Sequence, residues 1–500
     1  MNTVRIKSRD GADVEFVPTE PKQGGMKDVY FSPDRSYVVA FFREPLDAAG
    51  RDRIAAIVGP YRDRIFSQEG GDYWKDIFCW PSAIVEYQNR TGIVVPAYHA
   101  HFFFEYGSRN GDPLNIKGKE KVGKWFASAL HRNKFLDPRE KGTWLSYIRL
   151  CILMSRGVKR LHAAGLAHSD LSYNNVLVDP AGGHVAIIDI DGLVVPGRFP
   201  PDVVGTPDFI APEVIATAHL SKTDPARKLP SITTDRHALA VLLYMYLLCR
   251  HPLRGGKVHD LESVRDDQLS MGERALFVED PTDRSNRIRL DQVSPSELPW
   301  ADTTKLPYTI TGPFLAPLFL EAFTDGLHDP SKRPTADTWE RALVKTVDLI
   351  QPCANPSCDL KWYVFDNTTR PICPFCGTPY LGKLPILNLY WSRKAGTWQP
   401  ENHRVVVYSG QSLFPWHSNR NISPSERLTP AQRKRVGYFQ LHQGNWYLVN
   451  EALPGLKELN SGGAHLPVPI GSHIELKDNQ RLLLAPEEGG RLVSVQMVGG

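Results

Sequence analysis

One stretch, residues 144–192, constrains the fold of this chain more than any other. Apolar residues recur at three- and four-residue spacing through WLSYIRLCILMSRGVKRLHAAG, which predicts a helix closed by a C-cap at Gly165. The apolar runs NVLVD and HVAIIDIDG then predict a pair of short strands. Between helix and strands lies HSDLSYNN, with Asp170 and Asn175 five positions apart. These polar residues are either solvent-facing loop residues or the centre of a reactive site, and their surroundings decide between the two.

The length of the chain requires more than one hydrophobic core. A chain of 500 residues is expected to divide into about two to four domains. The 59 basic and 55 acidic side chains leave a net charge of +4 without long blocks of either sign. Bulk charge therefore does not indicate nucleic-acid or membrane binding.

The sequence predicts a cytoplasmic protein without a membrane span. MNTVRIKSRDGADVEF has charges where a signal peptide needs an apolar segment. The most apolar run, ALAVLLYMYLLC at 238–249, is too short to span a bilayer and predicts a buried helix. We therefore expect a soluble protein.

The composition and the apolar periodicity of the sequence change along the chain and predict four parts. Residues 1–100 contain short β-type runs such as SYVVAFF and one helical pattern that Gly59-Pro60 should break. Residues 101–349 are mainly helical, with a polar insertion in their second half. A cysteine cluster occupies 350–381, and a β-rich tail occupies 385–500.

The order of the polar motifs indicates phosphoryl transfer. That reaction needs a carboxylate that orients the attacking hydroxyl, oxygen ligands for magnesium and a cation on the phosphates. HSDLSYNN has the spacing H-x-D-L-x-x-x-N, and IIDIDG places Asp189 directly after a strand. GTPDFIAPE supplies an A-P-E element ending at Glu213, and TDRHALAVLLY opens an apolar helix with Asp235. LHDPSKRPTA carries Arg333 in a D-P-x-x-R-P pattern.

Motifs in this order resemble those of the eukaryotic-like protein kinases, over residues 15–345. The resemblance implies a bilobal, α+β kinase fold. Its N-lobe would occupy 1–100, and its C-lobe, with insertions, would occupy 101–349.

The resemblance also implies a role for each motif residue. Asp170 would be the catalytic residue that orients the substrate hydroxyl, and Asn175 and Asp189 would hold Mg²⁺ against the phosphates of ATP. Asp235 would brace the catalytic loop, and Arg333 would pair with the A-P-E glutamate. The motif histidine would be a packing residue.

The lysine that such kinases carry on their third strand, in V-A-I-K, is absent. YVVAFFRE has Phe42 at or near that position, and Arg43 would point to the opposite face. QGGMKDVYF instead has Lys27 two residues before Val29, where the with-no-lysine kinases carry a lysine. A cation there reaches the same phosphates from the neighbouring strand. We therefore predict that Lys27 binds ATP and serves catalysis, and the alternative is a solvated hairpin lysine.

Three further positions depart from the kinase pattern. Gly24 and Gly25 allow close backbone approach to phosphate, although a full G-x-G-x-x-G is missing. The helix-C glutamate has no clear equivalent: Asp52 and Asp63 are candidates, but each also fits a surface charge. In DIDG, Asp191 replaces a glycine and either helps to hold a second metal ion or faces solvent.

The loop that many kinases phosphorylate has no residue that can be phosphorylated here, and the arginine that would bind its phosphate is also missing. LVVPGRFPPDVV, at 193–204, contains no Ser, Thr or Tyr, and Ser169 replaces the arginine that reads a phosphorylated loop. Ser172 replaces the catalytic-loop lysine of Ser/Thr kinases, so the preferred substrate residue stays open. We predict a kinase that is constitutively competent or controlled by a partner.

Four cysteines with the spacing C-x4-C-x14-C-x2-C follow the kinase-like region. Two pairs at this separation bring four thiolates to one tetrahedral zinc, and such a closed site is structural. Iron in a rubredoxin-like site is the alternative. Too few basic and stacking residues accompany the cluster to predict nucleic-acid binding. The predicted ligands are Cys353, Cys358, Cys373 and Cys376.

The tail alternates apolar and polar residues between turns, which predicts a small all-β sandwich. GNWYLVNEAL and VPIGSHIELKDNQRLLL are similar to the last strands of forkhead-associated domains, which bind phosphothreonine. That resemblance implies phosphate binding by Ser412, His417, Arg420 and Asn450. A sandwich that only docks on the kinase or on a partner is the alternative.

The order of kinase, cysteine ribbon and forkhead-like domain resembles the bacterial kinase of the tellurite-resistance-linked phosphorylation triad. The resemblance implies protein substrates, with a von Willebrand A protein and a PP2C-type phosphatase as partners. We therefore predict an ATP- and magnesium-dependent Ser/Thr kinase. Two alternatives stay open: a pseudokinase scaffold that binds nucleotide and recruits phosphoproteins, and a binding module in which the kinase fold is incidental.

Overall fold

The computed structural model describes residues 3–19, 21–23, 26–67, 70–195, 198–199, 205–221, 223–394, 397–460 and 465–499. The chain divides into two compact units. The first comprises Met1–Gly142, Arg149–Tyr308 and Pro317–Glu340, and the second comprises Thr143–Ile148, Thr309–Ala316 and Arg341–Gly500. Within the described ranges, no helix combines the length and the apolar character that crossing a membrane requires.

The first unit begins with a hairpin and a five-stranded antiparallel sheet. Their strands are β1 (Val4–Lys7), β2 (Asp13–Phe16), β3 (Lys22–Gln23), β4 (Lys27–Phe31), β5 (Tyr37–Phe42), β6 (Ala83–Tyr87) and β7 (Arg90–Pro96). The sheet order is β3-β4-β5-β7-β6, and β1 pairs with β2. Phe41 of β5 packs in one apolar cluster with Phe16, while Phe42 packs in another with Ile54. Both faces of β5 are buried, which explains its uninterrupted apolar run.

Three helices connect β5 to β6: α1 (Ala48–Ala56), α2 (Arg62–Phe66) and α3 (Gly71–Ile77). Asp47 caps α1, because its carboxylate accepts from the N–H of Gly50 at 2.7 Å. The sequence predicts a break at Gly59-Pro60. Instead, a π-helical turn at Ile57–Tyr61 contains Pro60 and joins α1 to α2. The wider turn accommodates the missing N–H of the proline without ending the helical path.

The rest of the first unit is mainly helical. A hairpin of β8 (Val176–Asp179) and β9 (His184–Ile187) follows the long helix α4, after a turn in which Gly165 has φ of +78°. Helix α6 is buried along almost all of its length, which is why its sequence is apolar on every side. The helices between β7 and β10 are α4 (Trp144–Ala163), α5 (Pro212–Ala216), α6 (Ile232–Leu248), α7 (Ser263–Met271), α8 (Ala316–Phe323), α9 (Asp325–His328) and α10 (Ala336–Asp348). Residues 144–148 of α4, Ala316 of α8 and residues 341–348 of α10 belong to the second unit.

The second unit holds the cysteine cluster and the β-rich tail. The strands and the one short helix are β10 (Ile350–Pro352), β11 (Trp362–Val364), β12 (Leu384–Lys394), β13 (Thr397–Val406), β14 (Ser412–Leu413), α11 (Pro415–Ser418), β15 (Gly437–His442), β16 (Asn445–Asn450), β17 (Lys457–Leu459), β18 (His465–Pro467), β19 (His473–Glu475), β20 (Arg481–Leu483) and β21 (Arg491–Val498). The tail forms one sheet of order β13-β12-β21-β20-β17-β18 and another of order β14-β15-β16-β19. Leu389, Phe439 and Leu448 belong to a single apolar core to which both sheets contribute. Two sheets around one core are the arrangement of a β-sandwich.

Candidate active site

Asp170 is held by hydrogen bonds on both of its carboxylate oxygens. Its Oδ1 accepts from the N–H of Thr206 at 2.6 Å and from the Thr206 hydroxyl at 2.8 Å. Its Oδ2 accepts from Nδ2 of Asn175 at 2.8 Å, and the same amide nitrogen donates to the Asp170 carbonyl at 2.8 Å. The two polar residues of HSDLSYNN are therefore one hydrogen-bonded pair. With its nitrogen engaged by Asp170, Asn175 offers its carbonyl oxygen to a cation.

Asp235, in the first turn of α6, anchors the loop that carries this pair. Its Oδ2 accepts from the N–H of His168 at 2.7 Å, and its Oδ1 accepts from the N–H of Ser169 at 3.1 Å. Ser169 has φ of +66°, a left-handed conformation that a serine keeps only with such support. Nε2 of His162, on α4, lies 3.1 Å from the same carboxylate. The imidazole of His168 is buried, with Nε2 2.9 Å from the Ile188 carbonyl oxygen, so it occupies a packing position.

Two carboxylates follow β9 on one 3₁₀ turn, Ile190–Gly192, which has Asp189 at its N-cap. The side chain of Asp189 is 52% exposed, whereas that of Asp191 is 11% exposed. One carboxylate is thus open to a metal ion from solvent, while the other is enclosed by protein.

Lys27 contacts both carboxylates. Its Nζ lies 3.3 Å from Oδ1 of Asp189 and 2.5 Å from Oδ2 of Asp191. Burial lowers the pKa of Lys27, but the charges of Asp191 and Asp189 outweigh burial and raise the pKa above its ordinary value. Lys27 therefore stays protonated, as a side chain that binds phosphate must.

The strand register explains why Lys27 reaches this place. Lys27 of β4 lies directly opposite Phe42 of β5. Phe42 is buried beside Ile54 and Ile84, and Nζ of Lys27 lies 5.3 Å from the centre of its ring. Phe42 is therefore part of the apolar core, and the cation of the paired strand lies over its ring. Arg43 is exposed and pairs with an aspartate of β4 at 2.9 Å.

The other candidates of the N-terminal region divide into two groups. Gly24 and Gly25 lie outside the described residues. Asp52 of α1 and Asp63 of α2 have exposed side chains, which fits surface charges.

Sequence reasoning missed Arg53, the charged residue on the buried face of α1. Arg53 is 6% exposed, and its charge interacts with the carboxylate of Asp191. Burial lowers the pKa of Arg53, and Asp191 partly offsets this effect. Arg53 shares a helix face with Gly50 and Ile57, at three- and four-residue spacing, and this pattern could have revealed its burial.

The four predicted metal-binding cysteines meet in the second unit, where all four Sγ atoms lie within 4.8 Å of one another. Cys353 and Cys376 are 3.4 Å apart, and Cys358 and Cys373 are 4.0 Å apart, measured between Sγ atoms. Tetrahedral zinc with Zn–S bonds of about 2.3 Å needs sulfur atoms about 3.8 Å apart. The cluster therefore fits a zinc ion. Burial acts to raise the pKa of the Cys376 thiol, but hydrogen bonds with Thr378 contribute to bringing it down to about 6.

Two of the four tail residues suggested as phosphate ligands are part of the protein interior. Asn450 is buried, and its side-chain amide bonds to backbone groups of Leu453 and Val468. His417 is buried as well, with Nε2 3.1 Å from Oδ1 of Asp348. These contacts stabilise the second unit.

The other two suggested ligands also have protein contacts. Ser412 lies on β14, opposite Tyr438. The guanidinium of Arg420 lies 3.7 Å from the centre of the Trp391 ring and 4.0 Å from a carboxylate oxygen of Glu401. Binding of phosphothreonine by this tail stays a prediction.

The decisive comparison concerns the region around Asp170. Residues 122–339 match the family model described as protein kinase domain. Residues 122–339 are therefore similar to protein kinase domains. The prediction made from the order of the motifs is confirmed at this level. The matched range includes Asp170, Asn175 and Asp189, whereas Lys27 precedes it.

Parts of this chain are similar to named kinases. Serine/threonine-protein kinase PkaB of Streptomyces coelicolor is 32% identical over 111 residues, which are 20% of this chain and 24% of that protein. Protein kinase C-like 1 of Candida albicans is 26% identical over 209 residues, 38% of this chain and 18% of that protein. Protein kinase C delta type of Mus musculus is 32% identical over 116 residues, 22% of this chain and 15% of that protein. The chain thus spans about a quarter or less of the length of these curated relatives.

A bidentate ion pair connects two distant motifs of the kinase domain. Nη1 and Nη2 of Arg333 donate to the carboxylate of Glu213 at 2.8 Å and 2.7 Å. Arg333 also donates from Nε to the Gly326 carbonyl at 2.8 Å. This is the pairing that the motif resemblance implies, and it ties α5 to the segment before α10.

A buried histidine, His251, packs beside the segment that holds Thr206. Nε2 of His251 lies 2.9 Å from the Asp208 carbonyl oxygen, and Nδ1 accepts from the N–H of Leu253 at 3.1 Å. Both ring nitrogens are satisfied in the neutral form, so a second proton would face a donor. Burial, the largest cause, lowers the pKa of His251 to about 4.

We expect the kinase domain to lose stability through His251 as the pH falls from about 6.5 toward about 4. The pKa of the folded state is the lower one, so below 6.5 the unfolded chain binds the extra proton and folding weakens. At pH 5.0 this contributes roughly 2 kcal/mol. Urea unfolding of the full chain at pH 7.5 and 5.0 should show a smaller pH effect for His251→Asn than for the wild type. His219→Asn, at an exposed position, should behave as wild type, and equal pH effects in all three proteins would contradict the expectation.

Proposed function

We propose that this chain is an ATP- and magnesium-dependent protein kinase that transfers the γ-phosphate to Ser or Thr of partner proteins, with its own hydroxyl groups as further acceptors. The observation that carries the proposal is the hydrogen-bonded pair of Asp170 and Asn175 inside a kinase domain. PkaB is a serine/threonine-protein kinase by its name, and protein kinase C delta type is a protein kinase by its name. The similarity to these two proteins supports the choice of reaction.

Each residue of the site has one task in the proposed reaction. Thr206 and Asn175 hold the carboxylate of Asp170 so that it can accept a hydrogen bond from the substrate hydroxyl and orient it for attack. The exposed carboxylate of Asp189 and the amide oxygen of Asn175 would hold magnesium, which neutralises phosphate charge when bound. These are hard oxygen donors of the kind magnesium prefers, so the residues fit the ion.

Lys27 would supply the cation for the nucleotide phosphates. It is protonated and reaches the exposed Asp189 at the site where magnesium would bind. Phe42 fills the third-strand position with an apolar ring, so the cation has to come from the neighbouring strand. Gly24 and Gly25 precede Lys27 in the sequence and would allow backbone N–H groups to approach the phosphates.

In this proposal, the catalytic loop is held in place without a residue that binds a phosphorylated loop. Asp235 binds the N–H groups of His168 and Ser169 directly. Because Ser169 cannot pair with a phosphorylated loop, the kinase would be constitutively competent or controlled by a partner.

The triad resemblance suggests those partners. We propose a von Willebrand A protein as a substrate and a PP2C-type phosphatase as the opposing enzyme. The cysteine ribbon would hold a structural zinc, and the forkhead-like tail would bind phosphothreonine on a partner.

A pseudokinase scaffold is the second candidate. It is favoured by the apolar Phe42 at the third-strand position and by the cation Arg53 on the buried face of α1, where kinases that resemble this chain carry a glutamate. Such a protein would bind nucleotide and recruit phosphoproteins without transferring phosphate.

Transfer of label from γ-labelled ATP with magnesium tests the proposal. We expect labelling of the chain and of a generic Ser/Thr substrate by the wild type. Lys27→Met should lose most of it, because the phosphates lose their cation. Lys119→Met removes an exposed lysine and should keep full activity. If the wild type transfers no label even with the partner proteins present, but binds MgATP, the pseudokinase scaffold is correct.

A further inference from the structure

Asp191 is a buried carboxylate beside an exposed one. Its side chain is 11% exposed, although Asp189, two positions earlier, is 52% exposed. Burying a carboxylate is unfavourable unless cations and hydrogen bonds compensate it. The environment of Asp191 therefore has to supply positive charge.

Lys27 supplies the first part of that charge. The Nζ–Oδ2 distance to Asp191 is 2.5 Å, shorter than the 3.3 Å between Nζ and Asp189. The Lys27 side chain is itself only 16% exposed. A short, enclosed ion pair of this kind fixes the position of a flexible lysine far better than an exposed contact.

A second cation, Arg53, is buried on α1, and the charges of both Asp191 and Asp47 act on it. In kinases that this chain resembles, a helix-C glutamate holds the phosphate-binding lysine. Here α1 carries a cation on its buried face, while its aspartate Asp52 is exposed. The charge on the helix is therefore opposite to that pattern, and the carboxylate on the turn after β9 is additional to it.

We propose that Asp191 is the positioning residue that holds Lys27 on the nucleotide phosphates. The inference rests on the proposed function of Lys27. It assigns Asp191 to the lysine and leaves the metal to Asn175 and Asp189. The carboxylate that holds the lysine lies on the turn after β9, within reach of a lysine placed on β4.

Binding of MgATP to the full chain, measured by calorimetry, tests this assignment without requiring turnover. Asp191→Asn and Lys27→Met should each weaken MgATP binding, by roughly tenfold. The double variant should bind no more weakly than Lys27→Met alone, because each change removes the same interaction. Multiplying effects in the double variant would overturn the proposal.

The magnesium requirement separates a positioning residue from a metal ligand. Asp189→Asn should raise the magnesium concentration needed for half-maximal ATP binding, whereas Asp191→Asn should leave it at the wild-type value. An increase for Asp191→Asn equal to that for Asp189→Asn would make Asp191 a metal ligand and overturn the proposal.

Asp191→Glu keeps the assignment testable if Asp191→Asn does not fold. A longer carboxylate still reaches the flexible lysine, so MgATP affinity should stay near wild type; loss of affinity as large as in Lys27→Met would contradict the proposal. A wild type that binds MgATP but transfers no phosphate would refute the proposed kinase reaction and leave this inference standing. A wild type that binds no MgATP would refute both.

Discussion

Asp170→Ala is expected to lower the turnover number of phosphate transfer by roughly 10² to 10⁴ while leaving the affinity for MgATP near wild type. Asp170 orients the substrate hydroxyl in the proposed reaction and does not contact the nucleotide. Of its two hydrogen-bond partners, Asn175 lies in the loop that Asp235 anchors, and Thr206 lies in a separate segment, so both can keep their places. Steady-state kinetics with γ-labelled ATP and a Ser/Thr substrate measure the turnover number, and calorimetry measures the affinity.

Two neighbouring asparagines provide the matched control. Asn175→Ala removes the partner of Asp170 and a proposed magnesium ligand, so activity should fall at least as far as in Asp170→Ala. Asn174 is exposed, and Asn174→Ala should retain full activity. Equal activity of Asp170→Ala and the wild type would show that another carboxylate orients the hydroxyl, or that the labelling comes from a contaminant.

Removing the metal from the cysteine cluster is expected to unfold the ribbon around it. Four thiol groups within 4.8 Å, with Cys358 and Cys373 buried, form a stable arrangement when a cation compensates their charge. Structural zinc contributes about 10 to 16 kcal/mol of apparent binding free energy in zinc-finger peptides. Cys358→Ser, or chelation of the wild type, should therefore release one metal ion per chain and expose the segment 350–381 to proteases.

Elemental analysis of the purified chain measures this effect and identifies the metal. One zinc per chain is expected, and iron would instead show the absorption of a ferric tetrathiolate. Cys79→Ala removes a thiol of the first unit and should leave the metal content unchanged. Absence of any bound metal, with the ribbon still resistant to protease, would contradict a structural metal site.

Local sequence patterns predicted the elements that surround the candidate site. The helix before HSDLSYNN and the strand pair after it were readable because apolar periodicity reports which side of an element is buried. The motif spacing predicted a kinase domain, which the family comparison confirms. It could do so because Asp170 and Asn175 are five positions apart and meet within a single loop.

Patterns failed where packing overrides local preference. The proline at position 60 predicts a break, yet the chain continues through a π-helical turn since the flanking residues Ile57 and Ile65 are buried. Arginine is usually a surface residue, and Arg53 is buried only because it lies on the inward face of α1. Segments 143–148 and 309–316 belong to the second compact unit, a long-range association that local patterns do not encode.

The sequence by itself determined the order of the motifs, the alternation of the strands and the cluster of four cysteines, because these depend on residue type and on short spacing. Only the tertiary structure decided which carboxylates contact Lys27. Lys27 and Asp191 are 164 positions apart, and their contact depends on the register of β4 against β5 and on the turn after β9. No local pattern encodes such a distance, since it follows from how the whole of the first unit buries its apolar faces.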